Sequence, residues 1–243
     1  MNIELNKTVR ELAVEIPGAT RVFEKVGIDY CCGGQKSLAD ACAQAGVTVE
    51  HMMSSLGEAK ASQGPGEGPN FLAVSLAELI DHIVSNHHVF TRDEIRRLRA
   101  LLDKVCSVHY QNHPELLRLR SVFETLAAEL EPHMMKEERV LFPYVKMMEA
   151  AARDERALPV PPFGTVANPV RMMMMEHDAA GELLKEMRQL ASNYVAPPDA
   201  CISYQTLYEA LDAFEKDLHQ HIHLENNVLF PRAAETETLV ETR

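Results

Sequence analysis

The chain of 243 residues is 46% hydrophobic and 25% charged, a composition that excludes disorder throughout and suits a small domain beside a larger one. Thirty-six acidic against 24 basic residues leave a formal net charge of -12, which excludes nucleic acid and anionic membrane as partners. Eleven His and 12 Met with no Trp direct the search toward metal ligands.

The opening MNIELNKTVR lacks the apolar core of a signal peptide, and no apolar run approaches the ~20 residues that span a bilayer, so the expected location is the cytoplasm. Five Cys without framework spacing predict reduced thiols rather than structural disulfides. Strand signals are nearly absent, and the expected fold class is all-α. Thr8 and Glu11 form a capping-box pattern for a helix ending near Pro17, and Ser37 precedes another helical stretch. The Gly- and Pro-rich run from Ser62 to Asn70 reads as a linker. It divides a small helical module, residues 1–68, from a larger one, residues 69–243.

The larger module shows four long amphipathic patterns. The first opens at Ser75 with Glu78 three residues on, and its stripe runs Leu76, Leu79, Ile80, Ile83, Val84. The second runs Leu119, Phe123, Leu126, Leu130, His133, Glu137, Leu141, Tyr144, Met148. A Pro-rich loop, Leu158 to Pro169, precedes the third: Val170, Met173, Met174, His177, Gly181, Leu184, Met187. The fourth runs Tyr204, Leu207, Leu211, Phe214, Leu218, His221, Glu225, Val228. Four such helices with near-heptad seams predict a four-helix bundle.

Ionisable groups on those seams need partners, because an unpaired charge in an apolar core costs several kcal/mol. HMMKEERVLFP (His133 to Pro143) and HIHLENNVLFP (His221 to Pro231) both read HxxxExxVLFP, an internal repeat that sets a His and a Glu on one face of each of two helices. The third helix adds His177. The first adds His87 or His88, of which His87 lies nearer the centre of the stripe. Four His and two Glu converging from four helices match the way di-metal carboxylate sites are built into bundles. Each Glu can bridge two cations, and imidazole with carboxylate suits iron better than manganese or zinc.

The paired HxxxE segments with VLFP, the EHDAAGE run at Glu176 to Glu182, and DYCCGG at Asp29 to Gly34 together resemble the iron-sulfur cluster repair di-iron proteins, which have a hemerythrin-like domain. The resemblance covers nearly the whole chain. It implies a non-haem di-iron centre with two oxo- or hydroxo-bridged irons. By position it makes His88, His133, Glu137, His177, His221 and Glu225 the ligands, with Glu137 and Glu225 bridging. It favours His88 over His87 because His88, Arg92 and Asp93 follow the family's pattern; His87 stands where the family commonly has Tyr.

Cys31 and Cys32, followed by two glycines and a helix start, are expected to be accessible thiols suited to redox or persulfide chemistry. Cys42, Cys106 and Cys201 are expected to be core or surface residues. Met172 to Met175 are expected to fill core. Glu176, next to His177, is either a proton or cation relay toward the metals or an exposed charge. His51, His82, His109, His113, His219 and His223 are expected at the surface or beside the ligands.

The function the resemblance implies is repair of iron-sulfur clusters damaged by nitric oxide or oxidants, through labile iron or handling of NO at the di-iron centre. The implied partners are damaged iron-sulfur proteins and small molecules such as NO or O2; a homodimer is compatible with it. The alternatives are a di-iron NO or peroxide reductase and a non-enzymatic O2 or NO sensor or carrier.

Overall fold

A computed structural model describes residues 7–16, 18–31, 33–62, 70–158 and 161–241. Pro17, Cys32 and most of the expected linker lie outside the described residues. Those described are all-α, with an isolated bridge between Thr8 and Ser37. They divide into two compact units, one of residues up to Ser75 together with His219–Arg232, the other of Leu76–Leu218 together with the residues from Ala233 on.

In the first unit, α1 (Val9–Glu15) starts as its sequence dictates. Thr8 Oγ1 accepts from the Glu11 N–H at 3.2 Å and the Glu11 carboxylate accepts from the Thr8 N–H at 2.7 Å, so two orphan donors are satisfied reciprocally. The next helix, α2 (Ala19–Val26), ends at Gly27, whose φ of 71° is left-handed. Ser37 caps α3 (Leu38–Ala45) by accepting from the Asp40 N–H. Then α4 (Val49–Ser62) runs up to the expected linker. Leu12, Phe23, Tyr30, Leu38, Met52 and Leu56 are buried together in this unit's core.

The second unit carries most of the bundle. Its first helix comprises α5 (Leu76–His82), a π-helical turn (Ile83–His88) and α6 (Val89–His109). Its first two N–H groups donate to Glu149 at 2.6 and 2.9 Å, so a carboxylate distant in sequence adds to the local Ser75/Glu78 signal. The second helix comprises α7 (Glu115–Lys136), a π-turn (Glu137–Leu141) and α8 (Phe142–Arg153). The third is α9 (Ala167–Leu190), which takes Pro169 into its first turn rather than starting after it; a missing N–H costs nothing there. The fourth helical run comprises α10 (Ile202–Leu224), a π-turn (Glu225–Leu229) and α11 (Phe230–Glu241).

The second and fourth seams are buried at every predicted position. Each large apolar side chain so placed contributes about 1.5–3 kcal/mol. The third seam departs from expectation. Met173 is 3% exposed, whereas Met172, Met174 and Met175 are 51, 39 and 62% exposed, and Ala180 rather than Gly181 is buried. The buried face of this helix runs Met173, His177, Ala180, Leu184 in steps of three and four, which turns Met172, Met174 and Met175 off it, so the methionine run is mostly surface.

The VLFP signature has a structural cause. Proline lacks an N–H and its ring clashes with the carbonyl four residues back. Ahead of Pro143 the Phe142 N–H donates to the Glu137 carbonyl, and ahead of Pro231 the Phe230 N–H donates to that of Glu225, each five residues back. The widened turn carries the helix into the proline, and it begins at the Glu of each HxxxE copy. Such turns recur at functional sites.

Candidate metal centre

The six seam residues His88, His133, Glu137, His177, His221 and Glu225 are all buried. They form two groups, His88 with Glu137, His221 and Glu225, and His133 with Glu137, His177 and Glu225, and within each group the ligand-capable atoms lie within 4.8 Å of one another. Both carboxylates belong to both groups. His87, the alternative on the first helix, points elsewhere: its Nδ1 is 3.0 Å from Asp217 Oδ1. The π-turn over Ile83–His88 alters the phase of the helix, which is why straight α periodicity puts the wrong imidazole nearer the centre.

The tautomers follow from the hydrogen bonds. A carboxylate accepts, so His133 Nδ1–H donates to Glu176 Oε2 at 2.7 Å and His88 Nδ1–H donates to Glu138 Oε1 at 2.7 Å. The Nε2 atoms are left as lone pairs directed inward. His88 Nε2 is 3.4 Å from one Glu137 oxygen, His133 Nε2 is 3.4 Å from the other, and His133 Nε2 is 3.0 Å from His177 Nε2. Glu137 is 0% exposed, and neither oxygen has a hydrogen-bond partner among the described residues. Lone pairs facing a buried carboxylate repel, and a cation held by all of them removes the conflict. The donor set of imidazole and carboxylate fits a divalent first-row metal.

Around the cluster lie carboxylates of the kind that orient metal-binding imidazoles. Glu138 accepts from Arg92 at 2.8 Å as well as from His88, and Glu176 accepts from Lys136 as well as from His133. Burial raises the pKa of both acids, but these hydrogen bonds outweigh it and hold both carboxyls below the usual carboxylate range. Glu176 is therefore a support for His133. Glu138, the residue after Glu137, is absent from the sequence-based set; the signal that could have found it is an acidic residue adjoining the Glu of an HxxxE copy.

The second copy of the repeat has Asn226 and Asn227 where the first has Glu138 and Arg139. Asn227 Nδ2 donates to the Tyr30 carbonyl at 2.9 Å and Asn226 Nδ2 to that of Cys31 at 3.5 Å. Tyr30 packs on His223 with ring centroids 5.4 Å apart. His223 is consequently buried rather than at the surface, and burial, with Arg10 nearby, pushes its pKa down to about 4.

The cysteine signature differs from expectation in one respect. Cys31 is 6% exposed and its Sγ donates to Asp29 Oδ1 at 3.4 Å, so it is not an accessible thiol. The glycines serve packing: a Cβ on Gly34 would stand 2.7 Å from the Tyr30 carbonyl oxygen. Cys32 lies outside the described residues. Cys42 and Cys106 are buried and Cys201 is exposed.

Four helices delivering imidazoles around two shared carboxylates define a cation-binding helical-bundle protein. In agreement, the family profile described as Hemerythrin HHE cation binding domain matches residues 79–233, and a domain of unknown function, DUF542, matches residues 5–60. The chain is 36% identical over 222 residues to a probable iron-sulfur cluster repair protein of Haemophilus influenzae, covering 91% of this chain and 94% of that one. It is 38% identical over 223 residues to the iron-sulfur cluster repair protein YtfE of Escherichia coli O157:H7 and to that of Shigella boydii, covering 92% of this chain and 94% of each. The chain belongs to the hemerythrin-domain family of iron-sulfur cluster repair proteins. No helix among its described residues is long and apolar enough to cross a membrane.

Proposed function

We propose that this chain holds two irons and restores iron-sulfur clusters damaged by nitrosative or oxidative stress. The observation that carries the reading is that Glu137 and Glu225 each belong to both groups of the cluster. His88 and His221 would hold one iron and His133 and His177 the other, with Glu137 and Glu225 available to both. Bound there, the pair supplies ferrous iron and a redox centre open to NO or O2. Glu138 and Glu176 keep the His88 and His133 Nε2 lone pairs turned inward, and the buried seam excludes bulk water.

In this reading the protein works in the cytoplasm on damaged iron-sulfur proteins. The module of residues 1–68, which carries Cys31 and Cys32, meets the client or another thiol. The test is metal analysis and Mössbauer spectroscopy of protein purified without oxygen, followed by incubation with an apo-cluster protein. About two irons per chain, as bundle di-metal sites hold, and recovery of the client's cluster are expected. Iron that fails to transfer, with NO turned over to nitrous oxide instead, would replace this reading by the reductase one.

A further inference from the structure

At the end of the bundle marked by the C-terminus of α6 and the start of α10, a thiol meets an imidazole that the repair function does not use. His109 closes α6 and Cys201 immediately precedes α10. His109 Nε2 lies 3.2 Å from Cys201 Sγ. The Cys201 carbonyl accepts from the N–H groups of Tyr204 and Gln205 at 2.9 and 3.0 Å, which puts the residue at the N-cap of a 23-residue helix. Cys201 therefore stands at the positive end of one helix and His109 at the negative end of another, of 21 residues. The His109 ring packs against Tyr204, with centroids 5.3 Å apart. Next to it His113 is pinned by Glu115 at 3.0 Å and Asp199 at 3.1 Å. A nucleophile in reach of a base, with the base's ring held by neighbours, is the arrangement of an activated thiol.

The geometry points to Cys201 as a thiol that exchanges with small-molecule disulfides, with His109 as its base. The Sγ proton passes to His109 Nε2 as Sγ attacks one sulfur of the disulfide. A new S–S bond forms at Cys201, the original S–S bond breaks, and the departing thiolate takes the proton from His109. The incoming disulfide is the only oxidant and leaves as one equivalent of thiol plus the mixed disulfide. The competing described thiols are less suited: Cys31 is buried, and burial pushes the Cys42 and Cys106 thiols up.

The test uses the full-length, metal-loaded protein with glutathione disulfide, followed by intact-mass and peptide-mapping spectrometry. A single glutathionyl adduct is expected first at Cys201, forming faster than on a peptide of residues 197–205. His109→Ala should slow it at least about tenfold, a modest loss for a general base, while His113→Ala keeps it. If His109→Ala fails to fold, comparing the native chain with the same chain in denaturant decides the matter, since only the native chain holds the pair. First modification at Cys31 or Cys32, a rate equal to the peptide's, or an unchanged rate in folded His109→Ala would overturn the assignment.

Discussion

Glu138 holds the imidazole of His88 across two helices, its Oε1 lying 2.7 Å from His88 Nδ1 and 2.8 Å from Arg92 Nη2. Glu176 with Lys136 does the same for His133. His88 and His133 thus each have the outer nitrogen fixed by a charged carboxylate that is itself paired with a cation. Removing such partners typically costs about 10- to 100-fold in metal affinity.

We therefore expect Glu138→Ala and Glu176→Leu to retain helical content but to release iron to a ferrous chelator faster, by about tenfold each. Stopped-flow chelation on anaerobic protein measures this. Release as slow as in wild type for Glu176→Leu would return that residue to an exposed charge.

Glu137 differs in kind, because it has no exposure and both its oxygens face imidazoles. Glu137→Ala and Glu225→Ala should each lose most of the bound metal, and His88→Ala should alter the charge-transfer bands of the oxidised centre. His87→Ala, which removes a ring that bonds Asp217 and packs on His82 but belongs to neither group of the cluster, should leave metal content and spectrum near wild type. Iron quantitation with optical spectra on the four variants distinguishes these outcomes.

Glu149 accepts the first two N–H groups of α5. Replacing it with Ala leaves those donors to water and should destabilise the protein by about 1–2 kcal/mol, as loss of a helix cap does. The shift in urea midpoint, with an unchanged slope, measures this.

His113 provides a pH-dependent contribution. The Glu115 hydrogen bond raises its pKa, burial opposes this, and Asp199 raises it further. A raised folded-state value means the stabilisation is complete below the unfolded value of about 6.5 and fades as pH rises through the folded one. Asp199 is held below the usual carboxylate range by the same contact, so it remains charged at pH 5.5. His113→Gln should lower the melting temperature more at pH 5.5 than at pH 8.5. An equal loss at both would show that packing, not charge, is at stake.

The sequence by itself determined the helical class, the second and fourth seams, the Thr8 and Ser37 caps and the buried HxxxE pairs, because each of these depends on residues within a turn or two of one another and on a period that composition alone reveals. Tertiary structure decided what periodicity cannot reach. The π-turn at Ile83–His88 turned His88 rather than His87 toward Glu137, since one extra residue in a turn rotates everything after it. Burial allowed only Met173 of the four consecutive methionines into the core, since neighbours on a helix point about 100° apart. The two copies of the repeat also diverged immediately after their Glu for a reason no local pattern contains. Glu138 has an imidazole from another helix to hold, whereas Asn226 and Asn227 have the carbonyls of Cys31 and Tyr30, and partners so far apart in sequence meet only when the chain folds.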